Sequence, residues 1–240
     1  MAKNCSKNIM KKYIRKNSTK AQKELKEFYL YDKPVYIMDE LSPQVDVNNV
    51  LGRIKQLVPS TMVNNIDTIY IGRFERLFND ANHLNALYKD GAIYVSNTQD
   101  NEKDMIDDIV HELAHSLEKE NYDHLFADDA VEREFLAKRK YLYHLLPKKD
   151  RANMIYFLNP DYDSKFDNYL YKDIGYVTLR NMSSELFYSP YAVTSLKEYW
   201  ANGFENYVLG DRKKLKEISP VLYTKINTLY NHKREEANGI

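Results

Sequence analysis

The sequence contains almost no cysteine and no long apolar run. Its single cysteine, Cys5, excludes an intramolecular disulfide and any cysteine-rich metal site. No stretch reaches the length of a signal-peptide core or of a membrane span. We therefore expect a protein with no signal peptide and no membrane span, made in a reducing compartment. It would be cytoplasmic as synthesised, or delivered elsewhere by a route that needs no cleaved signal.

A net charge is also lacking, because Lys+Arg and Asp+Glu both total 35. The distribution of charge is uneven. Residues 1–30 carry nine Lys/Arg and two acidic residues, so we predict a basic N-terminal arm at 1–30 and one domain at 31–240. Such an arm can contact nucleic acid or anionic lipid, but a solubilising or docking tail is the preferred interpretation, and we expect no nucleic-acid partner.

Acidic residues are concentrated at residues 100–134, where thirteen of them face only three basic residues. An acidic surround favours the capture of cations and of basic substrates. Ordinary solvated helix faces give the same composition, so charge alone does not identify a ligand.

A helix is predicted at residues 100–120, with His111-Glu112-Leu113-Ala114-His115 at its centre. At about 100° per residue its apolar residues fill one arc and both histidines fall on the opposite face. The apolar arc contains Met105, Ile106, Ile109, Val110, Leu113, Ala114 and Leu117. Two histidines four residues apart can chelate zinc, and the glutamate between them can take a proton from a bound water. A surface helix that happens to carry two histidines is the alternative, but a zinc hydrolase is the leading hypothesis.

Hydrophobic patterns predict an α+β fold, with a small mixed sheet before the motif and mainly helices after it. Short β-branched and aromatic runs predict strands at residues 35–38, 68–72 and 93–95, with a helix between the first two. We expect the strand at 93–95 to run beside the motif helix, as the strand on which a zinc peptidase holds an extended substrate. After the motif, long helices are predicted at 125–146 and about 195–209.

Zinc bound by two histidines needs a third protein ligand, with the fourth position left to water. A metzincin would have glycine and histidine where this chain has Glu118 and Asn121, so that class is excluded. A glutamate from a later helix remains, and two are candidates. Glu134 lies on the nearer predicted helix and Glu198 on the later one.

The segment from Tyr191 to Glu205 resembles the C-terminal signature of the anthrax lethal factor family of zinc metallopeptidases, which is also similar to the Pro-Pro endopeptidases. The shared pattern is the histidine motif, then a tyrosine, a glutamate seven residues later, two aromatics, an alanine and a later phenylalanine. In this chain those positions are Tyr191, Glu198, Tyr199, Trp200, Ala201 and Phe204. The resemblance covers residues 35–230 and leaves the basic arm outside.

The resemblance implies a zincin-like fold and one zinc ion per chain, held by His111, His115 and Glu198. It also implies Glu112 as the general base and Tyr191 as the hydroxyl that stabilises the oxyanion of the tetrahedral intermediate. The function predicted is therefore that of a toxin-like zinc endopeptidase acting on a protein or peptide substrate.

One position departs from the family pattern. The family usually carries a second glutamate four residues after the glutamate ligand, and this chain has Asn202. Residues that hydrogen-bond to the metal ligands tune the affinity for the metal. We therefore expect weaker zinc binding here, unless Asp108 or Glu205 supplies the missing negative charge.

Two other functions stay open. One is a regulatory peptidase with Glu134 as its third ligand, similar to the peptidases that cleave phage repressors. The other is a non-catalytic zinc-binding protein, such as a virion or toxin-complex component. The presence of Glu112 and Tyr191 argues against the second, because neither is needed merely to hold zinc.

Overall fold

The computed structural model describes residues 27–74 and 85–239, and its N-terminal part contains one mixed sheet of five strands. The strands are β1 (Glu27–Leu30), β2 (Lys33–Ile37), β3 (Thr68–Gly72), β4 (Ala86–Lys89) and β5 (Ala92–Ser96). Their order across the sheet is β1-β2-β3-β5-β4. The three central strands run parallel, and β1 and β4 pair antiparallel at the two edges. The predicted α+β class is confirmed.

The strand predicted at 93–95 is confirmed and packs against the motif helix, but it is an inner strand, so the expectation that it can hold an extended substrate is wrong and the edge strand there is β4. Those residues belong to β5, which pairs with β3 on one side and β4 on the other. Strand β4 has only four residues, too few to show a clear alternation of apolar and polar side chains. Asp90 and Gly91 join β4 to β5 with φ values of 51° and 82°. Positive φ at both residues is what a two-residue hairpin turn requires, and an Asp-Gly pair is a strong signal for it.

One face of the sheet packs under two helices and forms the core of the N-terminal half. Alternate strand residues point to this face, as the period of two in a strand requires. The buried ones are Val35, Ile69, Ile71, Ile93 and Val95. The helices are α1 (Val47–Leu57), which confirms the helix predicted after the first strand, and α2 (Glu102–Glu118). The sheet therefore supports α2, on which the histidine motif lies.

The described chain after α2 is mainly helical. Its helices are α3 (Tyr122–Leu125), α4 (Ala130–Leu145), α5 (Met154–Phe157), α6 (Ser164–Asn168), α7 (Tyr176–Ser183), α8 (Leu196–Leu209), α9 (Arg212–Ile218) and α10 (Pro220–Ala237). The helix predicted at 125–146 begins only at Ala130, because Asp129 has a left-handed backbone, with φ 54°. Between α6 and α7 a π-helical turn, Tyr169–Ile174, ends at Gly175, whose φ is 80°.

Helix α8 lies between α2 and α10. The indole N–H of Trp200 donates to the carbonyl of Ala114 on α2 at 3.1 Å. On the other side α10 packs so closely that a Cβ at Gly203 would lie 2.4 Å from a methyl of Leu222. A larger residue at 203 would have to displace the buried side chain of Leu222, so glycine permits this close contact. These contacts fix α8 against the motif helix.

The N-terminal boundary differs from the predicted one. Strand β1 pairs with β2, so Glu27–Leu30 belongs to the domain and not to the arm predicted at 1–30. The rest of that arm lies outside the described residues. Within residues 27–74 and 85–239, no helix is long and apolar enough to cross a membrane.

Candidate metal centre

Helix α2 presents the histidine motif on its polar face. Asn101 caps the helix, its side chain accepting from the N–H of Asp104 at 3.1 Å. All seven residues of the predicted apolar arc are buried, which confirms the orientation of the helix. His111 and His115 consequently lie side by side on the opposite face, with ring centroids 5.1 Å apart.

Helix α8 brings Glu198 to the two imidazoles. Ser195 caps α8 by accepting from the N–H of Glu198 at 3.2 Å, which holds the first turn in place. One carboxylate oxygen of Glu198 lies 3.1 Å from Nε2 of His111, and the other lies 3.7 Å from Nε2 of His115. One ligand atom from each of the three residues lies within 4.8 Å of the others, close enough to hold a single metal ion. The structure thus brings together the three residues that the sequence predicted.

Each of the three side chains shifts the pKa of the others. Burial alone would lower the pKa of His111, but hydrogen bonds to Glu198 and Glu205 outweigh it and raise that pKa to about 9. Burial likewise opposes a charge on His115, yet Glu118 and Glu198 raise its pKa to about 10. Burial would raise the pKa of Glu198, but the two histidines lower it to about 2. A cation that binds to these ring nitrogens therefore competes with protons.

A second carboxylate holds the far nitrogen of each histidine. Nδ1 of His111 lies 3.2 Å from Glu205, and Nδ1 of His115 lies 2.6 Å from Glu118. In metal sites, carboxylates at this position fix the tautomer and orientation of the ligand histidine and raise its basicity. Of the two residues that could compensate for Asn202, Glu205 is therefore the one whose carboxylate lies at a ring nitrogen of a histidine.

Asp108 has a different role. Its carboxylate accepts from the side-chain amide of Gln99 at 2.7 Å. Burial raises its pKa to about 6, although the bond from Gln99 acts in the opposite direction. Asp108 thus lines the same cavity as the histidines but is held by the turn that precedes α2.

Glu112 is buried beside the three-residue group and contacts the edge strand. One of its carboxylate oxygens accepts the backbone N–H of Tyr88 on β4 at 2.6 Å. Burial raises its pKa, although the two histidines and the N–H of Tyr88 act in the opposite direction. A carboxylate with one oxygen held and a raised proton affinity is suited to accept and return a proton.

Tyr191 lines the same cavity as the three-residue group and Glu112. The cavity has a volume of about 1410 Å³. Burial raises the pKa of Tyr191 far above its ordinary value, and the charge of Glu198 raises it further. Its hydroxyl therefore keeps its proton at neutral pH and can donate it in a hydrogen bond.

Glu134 belongs to a different hydrogen-bond network, at the N-terminus of α10. One of its oxygens accepts from the hydroxyl of Tyr199 at 2.8 Å and from the N–H of Leu222 at 3.1 Å. The other accepts from the N–H of Val221 at 2.8 Å. Both oxygens thus serve the N-terminus of α10, and the described group that can hold a metal contains Glu198 and not Glu134.

Sequence reasoning missed two contacts of this centre. Glu118 lies three residues after His115 on a helix, a spacing that places two side chains on one face and that could have indicated the contact. The bond from Tyr88 to Glu112 carries no local signal, because it depends on how the hairpin packs against α2.

Two imidazole nitrogens and one carboxylate oxygen, with a cavity beside them, form a ligand set that can bind a metal ion and leave a position open to a small molecule. No protein-family model, curated protein or solved structure matches the chain.

Proposed function

We propose that the protein is a zinc-dependent endopeptidase. The observation that carries the proposal is the convergence of His111, His115 and Glu198 with Glu112 in one open cavity. Two histidines and one glutamate form a set of ligands that catalytic zinc takes in peptidases. Merely holding a metal would not require a carboxylate at the position of Glu112.

The ligand set fits zinc in its surroundings as well as in its composition. Each histidine has its other ring nitrogen on a carboxylate, which leaves Nε2 of both residues directed at Glu198. Zinc bound there would supply Lewis acidity, lowering the pKa of a water molecule toward ~7 and polarising a substrate carbonyl.

Glu112 and Tyr191 then perform the proton and charge chemistry. The free oxygen of Glu112 accepts the proton of the attacking water and later returns it to the leaving amine. The Tyr191 hydroxyl donates a hydrogen bond to the oxyanion of the tetrahedral intermediate. Its raised pKa makes Glu112 a stronger proton acceptor, and the raised pKa of Tyr191 keeps its hydroxyl protonated so that it can donate.

The edge strand β4 is the proposed surface for the substrate backbone. In an antiparallel edge strand alternate residues turn their N–H and C=O groups outward. The N–H of Tyr88 points to Glu112, so Tyr88 and Ala86 are the outward residues of β4. An extended peptide can add here as a further strand, through both backbone groups of Ala86 and the carbonyl of Tyr88. Its backbone would then pass beside the general base.

Within this proposal we assign the chain to the lethal factor family. Its support is the pattern of residues from Tyr191 to Phe204, together with the place of Glu198 beside both histidines. Glu134 as the third ligand is not favoured, because both of its oxygens already hold α10 and Tyr199.

An unbiased peptide-library experiment tests this proposal. Purified protein loaded with one equivalent of zinc is incubated with the library, and the products are sequenced by mass spectrometry. We expect internal cleavage by the wild type, and a loss of at least ~10²-fold in the Glu112→Gln variant with zinc content unchanged. Chelation should abolish cleavage, and added zinc should restore it. A protein that binds zinc but cleaves no peptide would be a non-catalytic zinc protein.

A further inference from the structure

Arg139 is a fully buried cation on α4. Its side chain has no exposed area, and its guanidinium packs on two rings, 5.0 Å from the centroid of Phe135 and 4.3 Å from that of Phe166. Burial lowers the pKa of Arg139 to about 9. In the part of the chain that the structure describes, no carboxylate pairs with this guanidinium, and its Nε has no hydrogen-bond partner. The interior therefore opposes the charge, and holding it there costs stability.

The guanidinium of Arg139 donates to two backbone carbonyls at the end of α5. Nη1 donates to the carbonyl of Asn159 at 2.6 Å, and Nη2 donates to the carbonyl of Tyr156. A planar guanidinium that binds two acceptors at once fixes their direction as well as their distance. Arg139 therefore sets the position of the backbone from Tyr156 to Asn159.

The next residue along the chain bonds to helix α8. The carbonyl of Pro160 accepts the N–H of Leu196, the first residue of α8, at 2.8 Å. The first N–H groups of a helix have no acceptor within the helix, so an acceptor from outside fixes where the helix begins. Glu198 follows two residues later in the same turn, and Pro160, Leu196 and Glu198 all line the cavity. A shift of Pro160 would therefore move the turn that carries Glu198.

We propose that Arg139 is a positioning residue for the candidate metal centre, and that it acts through Pro160 and Leu196 on the ligand Glu198. Arg139 is not among the described residues that line the cavity, so it acts only through this backbone connection. A buried charge that costs stability, and whose bonds lead to the turn of a ligand, is explained by the geometry that it imposes on that turn. The inference rests on the metal centre of the proposed function, but metal binding alone can test it.

Arg139→Met removes the charge and both hydrogen bonds and keeps a long unbranched side chain. We expect zinc to bind about tenfold more weakly, as measured by competition with a chromogenic chelator. The visible spectrum of the Co²⁺-loaded protein should also change, because it depends on the arrangement of the ligands. The melting temperature of the metal-free chain should not fall, since an apolar side chain replaces an unpaired buried charge. Wild-type affinity together with a wild-type spectrum would overturn the inference.

Arg151→Met is the matched control. The guanidinium of Arg151 also donates to two backbone carbonyls, those of His144 and Leu146, each at 2.9 Å, and it packs on the ring of Tyr143. These carbonyls lie at the C-terminal end of α4 and do not lead to α8. Zinc affinity and the Co²⁺ spectrum should therefore stay those of the wild type. An equal loss of zinc affinity in Arg151→Met and Arg139→Met would overturn the inference.

Leu196→Pro tests the connection through which Arg139 acts. Proline is favourable at the first position of a helix, and Ser195 before it already has the extended backbone that a following proline requires. The variant therefore removes the N–H that Pro160 accepts and keeps the helix. It should reproduce the weaker zinc binding, and its combination with Arg139→Met should add no further loss. Wild-type affinity in Leu196→Pro, or fully additive losses in the double variant, would overturn the inference.

If Arg139→Met does not fold, Arg139→Lys takes its place. Lysine keeps a cation, but one ammonium does not reproduce a planar group that binds two carbonyls, so zinc should again bind more weakly. Wild-type affinity in Arg139→Lys would then overturn the inference. A wild type that binds no zinc would overturn this inference and the proposed function together. A wild type that binds zinc but cleaves no peptide would overturn only the peptidase proposal, and the metal measurements would still decide the role of Arg139.

Discussion

Each proposed ligand histidine is held by two carboxylates, one at each ring nitrogen. His111 lies between Glu198 and Glu205, and His115 lies between Glu198 and Glu118. The two outer carboxylates differ in origin: Glu118 comes from the motif helix itself, whereas Glu205 comes from α8. A substitution of Glu205 therefore removes a contact between α8 and α2.

We predict that Glu205→Ala weakens zinc binding by about 10–100-fold, because Nδ1 of His111 loses the carboxylate that orients the ring. The dissociation constant is measured by competition with a chromogenic chelator. Asp108→Asn is the matched control, since Asp108 lines the same cavity but bonds to Gln99. Unchanged affinity in Glu205→Ala would show that Asn202 or another group supports His111.

Tyr191 gives a second prediction for a single residue. Tyr191→Phe removes only the hydroxyl that we assign to the oxyanion, so kcat should fall by about 10²–10³. Zinc content and melting temperature should stay almost unchanged, because the ring still fills the same space. Steady-state kinetics on the best library peptide, with metal analysis of the same sample, separates the two effects. Activity within a few-fold of the wild type would remove Tyr191 from the mechanism.

At the scale of the elements, helix α10 is held by Glu134, which the sequence left open as a possible metal ligand. Glu134 accepts the first N–H groups of α10, where an anion also interacts favourably with the helix dipole. It also joins Tyr199, which accepts from Nζ of the buried Lys138 at 2.6 Å. The carboxylate therefore compensates a buried cation and caps a helix at once.

We predict opposite outcomes for the two glutamates that compete for the third-ligand role. Glu134→Ala should lower the free energy of unfolding of the metal-free chain by about 1–3 kcal/mol, because it leaves buried donors without an acceptor. Its zinc affinity should stay near that of the wild type. Glu198→Ala should abolish tight zinc binding. Chemical denaturation and metal analysis of both variants check this, and zinc loss in Glu134→Ala alone would contradict the proposed ligand set.

The sequence predicted those elements whose signal is local. The apolar arc of α2, its polar histidine face and the start of α8 all follow from spacing along one helix. Strand β4 was missed, although the Asp90-Gly91 pair that follows it is a strong hairpin signal. The interruption of the helix predicted at 125–146 depends on the backbone of Asp129, which no periodicity indicates.

At the scale of the whole molecule, the candidate centre depends on packing that no local pattern encodes. Glu198 reaches the histidines only because Trp200 joins α8 to α2 and Gly203 lets α10 approach from the other side. From spacing alone, Glu134 and Glu198 were both possible ligands. The resemblance to the lethal factor family favoured Glu198, and the packing of α8 against α2 gives the physical reason for that choice.

The stability of the whole molecule should depend on pH through the protonation of the candidate metal centre. In the metal-free chain the pKa values of His111 and His115 are raised from 6.5 to about 9 and about 10. Their contribution to stability is therefore complete below pH 6.5 and is lost as pH rises through 9 and 10. Zinc binding works in the opposite direction. Both imidazoles must lose their protons, and Glu198, with a pKa of about 2, has none to lose.

We therefore predict that the rise in melting temperature caused by zinc grows steadily from pH 6 to pH 9. A bound ion stabilises the fold in proportion to the logarithm of its affinity, and that affinity increases as fewer protons must be displaced. Near pH 7.5, calorimetry in buffers of different ionisation enthalpy should show the release of about two protons per zinc. His111→Ala is the control, since it should lose both the zinc-dependent rise and its pH dependence. A rise that is constant with pH, or that shrinks as pH increases, would show that zinc does not bind at the two histidines.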